Sequence, residues 1–306
     1  MANWKEINRR IKSIKNTAKI TKAMELISTV KMKKAQDLAL EKKEYITWIL
    51  KVLMNINDSL SKSVYFNKDN KSNLGTAWQY KTLWVIITSN KWLCWGYNIN
   101  VMKKVNSYMK ENTWDIDFVA LWKRWSQFIA RTDNNVIADF SEEFSDNINF
   151  PFSKSASRFI SEKFVSGEYN KVVVFYNYYV NTIKQIPVAR DFLPLTDESI
   201  EKYFKTILWD EDYKYDMDQW LTHVIEPSVD ELVEEVIPML IDSMFYDTLI
   251  ESKASEHSSR MIAMKNAKDN ANKYASKLTL QYNKARQAAI TKEVSEIVSW
   301  VESMKD

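Results

Sequence analysis

The chain has 306 residues, of which 45% are hydrophobic and 27% are charged, and its formal net charge is +3. These values are those of an ordinary soluble protein with a sizeable core, and so small a net charge identifies no partner. The single cysteine, Cys94, excludes an intrachain disulfide, and the charged N-terminus lacks the apolar run of a secretory signal. The longest apolar runs, such as Leu83–Ile87, are far shorter than the roughly 20 residues that span a bilayer, so we expect no direct membrane span.

Residues 1 to about 60 have the pattern of one long helix. The helix formers Lys, Glu, Ala, Met and Leu dominate, and no proline occurs before Pro151. Apolar or small residues recur at alternating intervals of four and three, which is the spacing of a coiled-coil seam: Ile7, Ile11, Ile14, Ala18 and Thr21. The polar, aperiodic stretch over 61–80 predicts a loop.

The middle of the chain, roughly 78–200, alternates strand and helix patterns. The predicted strands are Thr82–Thr88, Asp117–Leu121 and Lys171–Tyr179, and Asn181–Pro187 continues the last of them into a hairpin. The predicted helices are Asn98–Asn112 and Ser153–Gly167. This alternation predicts an inserted, Rossmann-like α/β domain with a largely parallel sheet.

A second long helix is predicted over 228–303. Ser228, directly after Pro227, is placed as its N-cap, and Pro238 should lie near its start or kink it. The coiled-coil rhythm returns along it: Met264, Ala267, Ala271, Tyr274, Leu278, Ala285, Ile290, Val294, Ile297 and Val301. Two long terminal helices around one compact domain most simply pair as an antiparallel coiled coil, a rod of roughly 80 Å at 1.5 Å per residue.

The sequence carries no recognisable catalytic constellation. His223 and His257 lack metal-ligand spacing, so both are interpreted as surface residues, and Cys94 as structural. The segment Thr88–Asn98 (TSNKWLCWGYN) follows a strand, as phosphate-binding loops do, but it lacks the GxxxxGK[ST] pattern. A structural turn is therefore favoured over a nucleotide site, and no cofactor or metal is expected.

The first predicted helix carries a basic face. Its members are Arg9, Arg10, Lys12, Lys15, Lys19, Lys22, Lys31, Lys33 and Lys34. Such a face fits an acidic protein or nucleic acid, although no aromatic residues are interleaved to stack bases. Three function classes stay open on these grounds: a mechanical coiled-coil subunit, an enzyme using the α/β domain, and a coiled-coil nucleic-acid binder.

Six stretches of the chain resemble the gamma subunit of F-type ATP synthases. TSNKWLCWGYN is similar to that family's TSDKGLCGGYN-type loop, and YNYYVNTIKQIPVARDFLPL is similar to its third strand and hairpin. The other stretches are Ile11–Gln36 for the opening helix, Val224–Ser228 for the Glu-Pro start of the last helix, and Ala254–Ala271 with Tyr282–Ser299 for the closing helix. The order is the family's own, and the resemblance covers essentially the whole chain.

This resemblance implies a central rotor shaft that couples ion flow through a membrane sector to ATP synthesis or hydrolysis without making any bond itself. The implied partners are three alpha and three beta subunits of F1, an epsilon-type subunit and the c-ring of Fo, and no nucleic acid. The implied location is peripheral, at the cytoplasmic face of a bacterial plasma membrane. The alternative within the same resemblance is the gamma-like shaft of a specialised F1-like ATPase.

The resemblance also implies partner-binding residues. Arg286, Gln287 and Thr291 match residues of the family that contact the catalytic subunit. Lys292 stands where the family commonly has glutamine, which is a departure from the pattern at that contact.

The resemblance implies a second group of residues, which take part in coupling between this chain and the catalytic subunit. Met24 matches a family methionine that lies near an acidic loop of the catalytic subunit, and Arg260 and Glu226 match residues involved in coupling near it. Lys31 and Lys33 of the basic face are expected to contact the same partner.

Twelve tryptophans and only three glycines make an abnormal composition, because glycine usually accounts for about 7% of a chain. The clearest cases stand where the resembled family has glycine: Trp92, Trp95, Trp122, Trp125 and Trp300. A bulky side chain is unsuited to a turn that needs a positive φ. We hypothesise that these codons are UGA, which some bacterial lineages read as glycine.

Sequencing the gene is expected to find UGA at these tryptophan positions, and mass spectrometry of native protein is expected to find glycine there. UGG codons, or native peptides that carry tryptophan at 92, 95, 122 and 125, would refute the hypothesis. The interpretation of the two terminal helices does not depend on the outcome, since it rests on other residues.

Overall fold

The computed structural model describes residues 2–54, 63–66, 80–89, 92–111, 115–122, 135–141, 149–208 and 228–304. The helices are α1 (Ala2–Met54), α2 (Trp95–Glu111), α3 (Phe150–Val165), α4 (Asp197–Leu208) and α5 (Val229–Ser303). The strands are β1 (Lys81–Ile86), β2 (Asp115–Ala120), β3 (Asn135–Asp139), β4 (Lys171–Tyr179) and β5 (Gln185–Leu193). Single 3-10 turns lie at Val64–Phe66 and Trp92–Cys94.

The chain divides into two compact units. Unit 1 comprises Met1–Val30 and Arg260–Asp306, and unit 2 comprises Lys31–Ser259. The helices α1 and α5 contribute to both units.

The two terminal helices are as long as the sequence predicts, with 53 residues in α1 and 75 in α5. The backbone N–H of Glu231 donates to Ser228 Oγ at 3.3 Å, which makes Ser228 the predicted N-cap. Asp230 and Glu231 place negative charge at the first turn, where the helix dipole favours it. Pro238 lies inside α5 without ending it.

In unit 1 the helices α1 and α5 run antiparallel. Lys268 Nζ lies 2.7 Å from Glu25 Oε2, and the rings of Trp4 and Tyr282 lie with their centroids 6.0 Å apart. Residue numbers therefore fall along α5 as they rise along α1, and the predicted antiparallel pairing is confirmed.

The predicted seam on α1 faces inward, since Ile11, Ala18 and Thr21 are buried. On α5, Met264 and Leu278 are buried as expected. The prediction is wrong at Tyr274, which is 55% exposed while its neighbour Ala275 is buried. A small residue lets paired helices approach closely, so Ala275 takes the inward position and the phenol stays in water.

Unit 2 contains one five-stranded sheet in the order β3-β2-β1-β4-β5. The first four strands are parallel, and β5 is antiparallel to β4. The sheet is mixed and largely parallel, so the predicted Rossmann-like fold class is confirmed.

Both faces of the sheet are covered. One face packs Trp84, Phe118 and Phe175 against Val101 and Val105 of α2. The opposite face joins a larger core that includes α3, the end of α1 and the first part of α5. Burial on both faces explains why β1 and β4 read as continuous runs of apolar and β-branched residues rather than as alternating patterns.

Two elements were missed by the sequence analysis. The strand Asn135–Asp139 has only five residues, lies at the sheet edge and is mostly half-buried, so its pattern is weak. The sequence does carry a start signal for the helix Asp197–Leu208, which is the capping pair Thr196 and Ser199. Each side-chain oxygen accepts from the other residue's backbone N–H, at 2.9 and 3.1 Å.

The tryptophans of the predicted glycine turn take helical backbone conformations. Trp92 begins a 3-10 turn and Trp95 begins α2, and both helix types have negative φ. The expectation that these two positions need a positive φ is therefore wrong. Gly167, just beyond the end of α3, does have a positive φ, of 78°, as is usual for glycine at a helix C-terminus. Trp125 lies outside the described residues.

Trp84 and Trp122 are completely buried. The Trp84 ring contacts the rings of Tyr108, Phe118 and Phe175 at centroid distances of 5.4, 5.7 and 4.8 Å. Its indole N–H has no hydrogen-bond partner among the described residues, which partly offsets the gain from burial. Trp84 is therefore a packing residue of the sheet rather than a turn residue.

Replacing this ring is expected to be costly. Trp84→Ala should lower the free energy of unfolding by about 3–5 kcal/mol, since it leaves a large cavity. The matched change Trp95→Ala at an exposed indole should stay within about 0.5 kcal/mol. Urea denaturation of both variants measures the difference, and equal losses would show that Trp84 does not pack as described.

Candidate functional site

The three residues expected to contact a catalytic subunit lie close together on α5. Arg286, Gln287 and Thr291 occupy successive turns of the helix and all three side chains are exposed. The guanidinium carbon of Arg286 lies 5.9 Å from the ring centroid of Tyr282. Lys292, the departure from the family pattern, lies 3.6 Å from Glu296 in an exposed ion pair.

The same end of α5 carries an apolar stripe. Ile290, Val294, Ile297 and Val301 recur at intervals of four, three and four, and between 51% and 63% of each residue is exposed. We call these four residues the tip stripe. All described residues from Thr291 to Met304 are exposed, so the seam pattern of α5 continues here without the burial that accompanies it earlier in the helix.

The residues expected to take part in coupling are spread over both units. Met24 is half-buried on α1, next to Glu25, whose hydrogen bond with Lys268 raises the pKa of that lysine. Arg260 is buried. Unit 1 holds both Met24 and Arg260.

In unit 2, Lys31 is half-buried and Lys33 is exposed. Glu226 lies outside the described residues. The structure therefore groups the three α5 contact residues on one short segment of unit 1.

Unit 2 contains a largely buried set of ionisable groups that the sequence does not reveal: Tyr203 is buried, and Lys42 and Asp247 are half-buried. Asp247 Oδ2 accepts a hydrogen bond from the Tyr203 hydroxyl at 2.6 Å, and its Oδ1 lies 3.9 Å from Lys42 Nζ. Burial raises the pKa of Asp247 to about 7. Burial lowers the pKa of Lys42 to about 8, against the attraction of Asp247. These contacts tie α1, α4 and α5 together.

A second carboxyl group, that of the half-buried Glu251, lies one turn further along α5. The Tyr176 hydroxyl donates to Glu251 Oε2 at 3.1 Å, and burial raises the pKa of Glu251 while the charge of Arg190 opposes the shift. Arg190 stacks near the rings of Tyr176 and Tyr203, at 5.3 and 5.7 Å. The three side chains line a cleft of about 550 Å³.

The carboxyl ends of β1 and β4 meet where sheets of this type bind ligands. Here α5 contacts the segment that follows β1: the Tyr97 hydroxyl donates to the backbone carbonyl of Ser252 at 3.2 Å and bonds its Oγ at 2.5 Å. Asn98 accepts from the backbone N–H of Ser89 at 3.0 Å. Hydrogen bonds of Asn98 thus hold the described part of the segment Thr88–Asn98 to itself, and those of Tyr97 hold it to α5.

The histidine interpretation needs a correction. His257 is buried on α5, whereas the sequence analysis placed it on the surface; its neighbours in Ser252–Ser258 are also buried, because this stretch packs against the α/β unit. His223 lies outside the described residues. Cys94 is buried and forms no disulfide.

Within the described ranges no group of three or more His, Cys, Asp or Glu side chains is arranged to hold a metal ion. In the same part of the chain, no helix combines the length and apolar character needed to cross a membrane.

Comparisons with known proteins identify the family of the chain. A family model described as ATP synthase matches residues 3–304. The ATP synthase gamma chain of Flavobacterium psychrophilum is 35% identical over 311 residues, and that of Cytophaga hutchinsonii is 32% identical over 315 residues, each covering 100% of both chains.

Solved structures share the fold. The rotor of the Euglena gracilis mitochondrial ATP synthase superposes with a TM-score of 0.59 at 15% identity, covering 94% of this chain and 98% of that one. A central stalk and c-ring structure from Tetrahymena thermophila gives 0.56 at 23% identity, covering 81% of this chain and 99% of that one.

The Asp247 carboxyl should make stability depend on pH. Its folded pKa lies above the unfolded value of about 3.9, so the folded state binds the extra proton and stability falls as pH rises from about 4 through 7. When the pH is raised from 5 to 7.5, the unfolding free energy of the wild type should fall. In the Asp247→Asn variant, which has no carboxyl group at this position, the fall should be smaller by about 2 kcal/mol. Urea titrations at both values measure this, with the exposed Asp230→Asn as control; parallel pH profiles for all three proteins would contradict it.

Proposed function

This chain belongs to the family of ATP synthase gamma chains, and from that premise we propose that it works as the central rotor shaft that carries rotation between a c-ring and a catalytic ring of three alpha and three beta subunits. An epsilon-type subunit is the fourth proposed partner. The proposed location is peripheral, at the cytoplasmic face of a bacterial plasma membrane.

The tip stripe is the observation that carries this proposal. Four apolar side chains on the last turns of α5 are each more than half exposed, and a contiguous apolar surface in water marks an interaction site. An apolar side chain makes no directional bond, so a helix lined with such residues can turn inside an apolar sleeve with a small barrier at each step. A rotor tip needs both properties.

A rotor must also transmit force to its partner, and the neighbouring polar residues can do so through directional hydrogen bonds. Arg286 and Gln287 are exposed hydrogen-bond donors on the turn before the tip stripe. In the proposed assembly they meet the catalytic subunit together with Thr291. Met24, Arg260 and Glu226 are proposed to take part in coupling, and Lys31 and Lys33 to attract an acidic loop of the same subunit.

The chain itself is proposed to be non-catalytic. The carboxyl edge of the sheet, where a nucleotide would bind in a fold of this type, is the place where Tyr97 contacts Ser252 of α5. In this proposal the ATP chemistry takes place in the partner subunits, and α5 transmits the motion that drives it. A gamma-like shaft in a specialised F1-like ATPase would use the same surfaces.

The tip stripe can be tested by making it polar. Ile297→Asn with Val301→Asn should leave the stability of the free chain within about 0.5 kcal/mol, because both side chains are already exposed. The affinity for the alpha–beta ring should fall by about tenfold or more, as expected when two buried apolar contacts are lost at about 1 kcal/mol each.

Reconstitution of the purified chain with its alpha and beta subunits measures this affinity, and ATP hydrolysis by the assembled ring gives a second readout. Val165→Asn on α3, at another exposed apolar residue, is the matched control. Unchanged affinity in the double variant, or an equal loss in the control, would rule out the tip stripe as a ring contact.

A further inference from the structure

Where α5 passes the sheet, its surface changes from apolar to polar. The residues before this point, such as Ile241, Phe245 and Leu249, belong to the large core. Every residue of Ser252–Ser258 is buried as well, although Ala254 is the only apolar one among them. A buried polar side chain is costly unless it is partnered, so this segment needs specific partners in the rest of unit 2.

The partners of this segment come from several elements. The Tyr97 hydroxyl of α2 bonds Ser252, and the Tyr176 hydroxyl of β4 donates to Glu251. We call the α5 residues Glu251, Ser252, Ser258 and Ser259, which bond to α2, β4 and the β4–β5 hairpin, the polar belt.

The hairpin between β4 and β5 holds the other end of the polar belt. Ser258 Oγ donates to the backbone carbonyl of Thr182 at 2.6 Å, and Gln185 Nε2 donates to Ser258 Oγ at 3.3 Å. Ser259 Oγ donates to Gln185 Oε1 at 3.0 Å. Gln185 thus bonds two successive serines of α5.

A buried ion pair lies on α5 between Ser252 and Ser258 of the polar belt. Lys253 Nζ is 2.8 Å from Glu256 Oε2, one turn further along α5, and both side chains are almost fully buried. Both charges belong to α5, so turning the helix would keep the pair together but move it to new surroundings, and a buried ion pair is tolerated only where its remaining polar atoms are satisfied.

The two kinds of contact resist motion differently. Apolar packing depends mainly on the area removed from water, so a small rotation of α5 against the sheet changes it gradually. Hydrogen bonds weaken steeply when their angle falls, and successive residues of a helix are about 100° apart around its axis. Rotation by a single residue would therefore break all of the polar-belt bonds at once.

We propose that the polar belt fixes the rotational position of α5 within the α/β unit, so that torque applied to this unit turns the shaft instead of slipping against it. This inference rests on the proposed rotor function. Tyr97, Gln185 and the two serines of the hairpin contact are positioning residues, because they act through α5 and touch no reacting group.

The experiment uses the complete ATP synthase with this chain, reconstituted in lipid vesicles. ATP hydrolysis and ion pumping are measured together, the latter with a voltage-sensitive dye that responds to any coupling ion. The belt variant combines Tyr97→Phe, Ser258→Ala and Ser259→Ala, which removes hydroxyl groups and leaves the apolar packing in place. Tyr169→Phe is the matched control, since it removes a buried hydroxyl that donates at 2.6 Å to Asp117 of β2 rather than to a residue of α5.

The belt variant should hydrolyse ATP within about twofold of the wild-type rate, while the ratio of ions pumped to ATP hydrolysed falls at least threefold. The control should keep the wild-type ratio. A milder variant, Ser259→Ala alone, covers the case in which the triple variant does not fold, and it should lower the ratio by a smaller but measurable factor.

An unchanged ratio in the folded belt variants would overturn the inference, and so would an equal fall in Tyr169→Phe, because that result reflects loss of stability alone. Failure of the wild-type chain to assemble with its ring is a different result. It would remove the rotor function itself, and the inference with it.

Discussion

One helix must remain unbroken for 75 residues, and the rest of the structure depends on this constraint. A continuous α-helix satisfies its backbone hydrogen bonds internally, so α5 can change its surroundings only by changing its side chains. It does so several times: apolar residues face the sheet, polar residues form the belt, small and apolar residues form the seam of unit 1, and the tip stripe is exposed. The sequence contains no glycine between Val229 and Ser303 that could interrupt this succession.

The polar segment shows how a fold associated with ligand binding can take up a structural element instead. A Rossmann-like sheet leaves a crevice at the carboxyl ends of its central strands. Here the Tyr97 hydroxyl of α2 bonds Ser252 of α5, and Asn98 of α2 accepts from the backbone N–H of Ser89 just beyond β1. At this edge of the sheet, the side chains of one helix therefore bond to another helix of the same chain.

Much of this architecture could be predicted because long periodic patterns are robust. The seam at Ile11 and Ala18 repeats over enough turns that the pairing follows from spacing alone. Short or polar elements carry less signal: β3 has five half-buried residues, and the buried serines of α5 look like a solvated face until their partners are known. Tyr274 shows a third limit, since two neighbouring positions fit the spacing and only the close approach of the partner helix favours Ala275.

Exposure of the tip stripe affects how much of the free chain can accumulate without its partners. The four exposed aliphatic residues of the tip stripe can pack against the same residues of another copy as readily as against a partner subunit. Surplus free chains therefore tend to self-associate. In the proposed assembly, production of this chain therefore has to keep pace with production of the ring that would enclose the tip stripe. A cell that made much more of the one than the other would lose the excess to aggregation or to proteases.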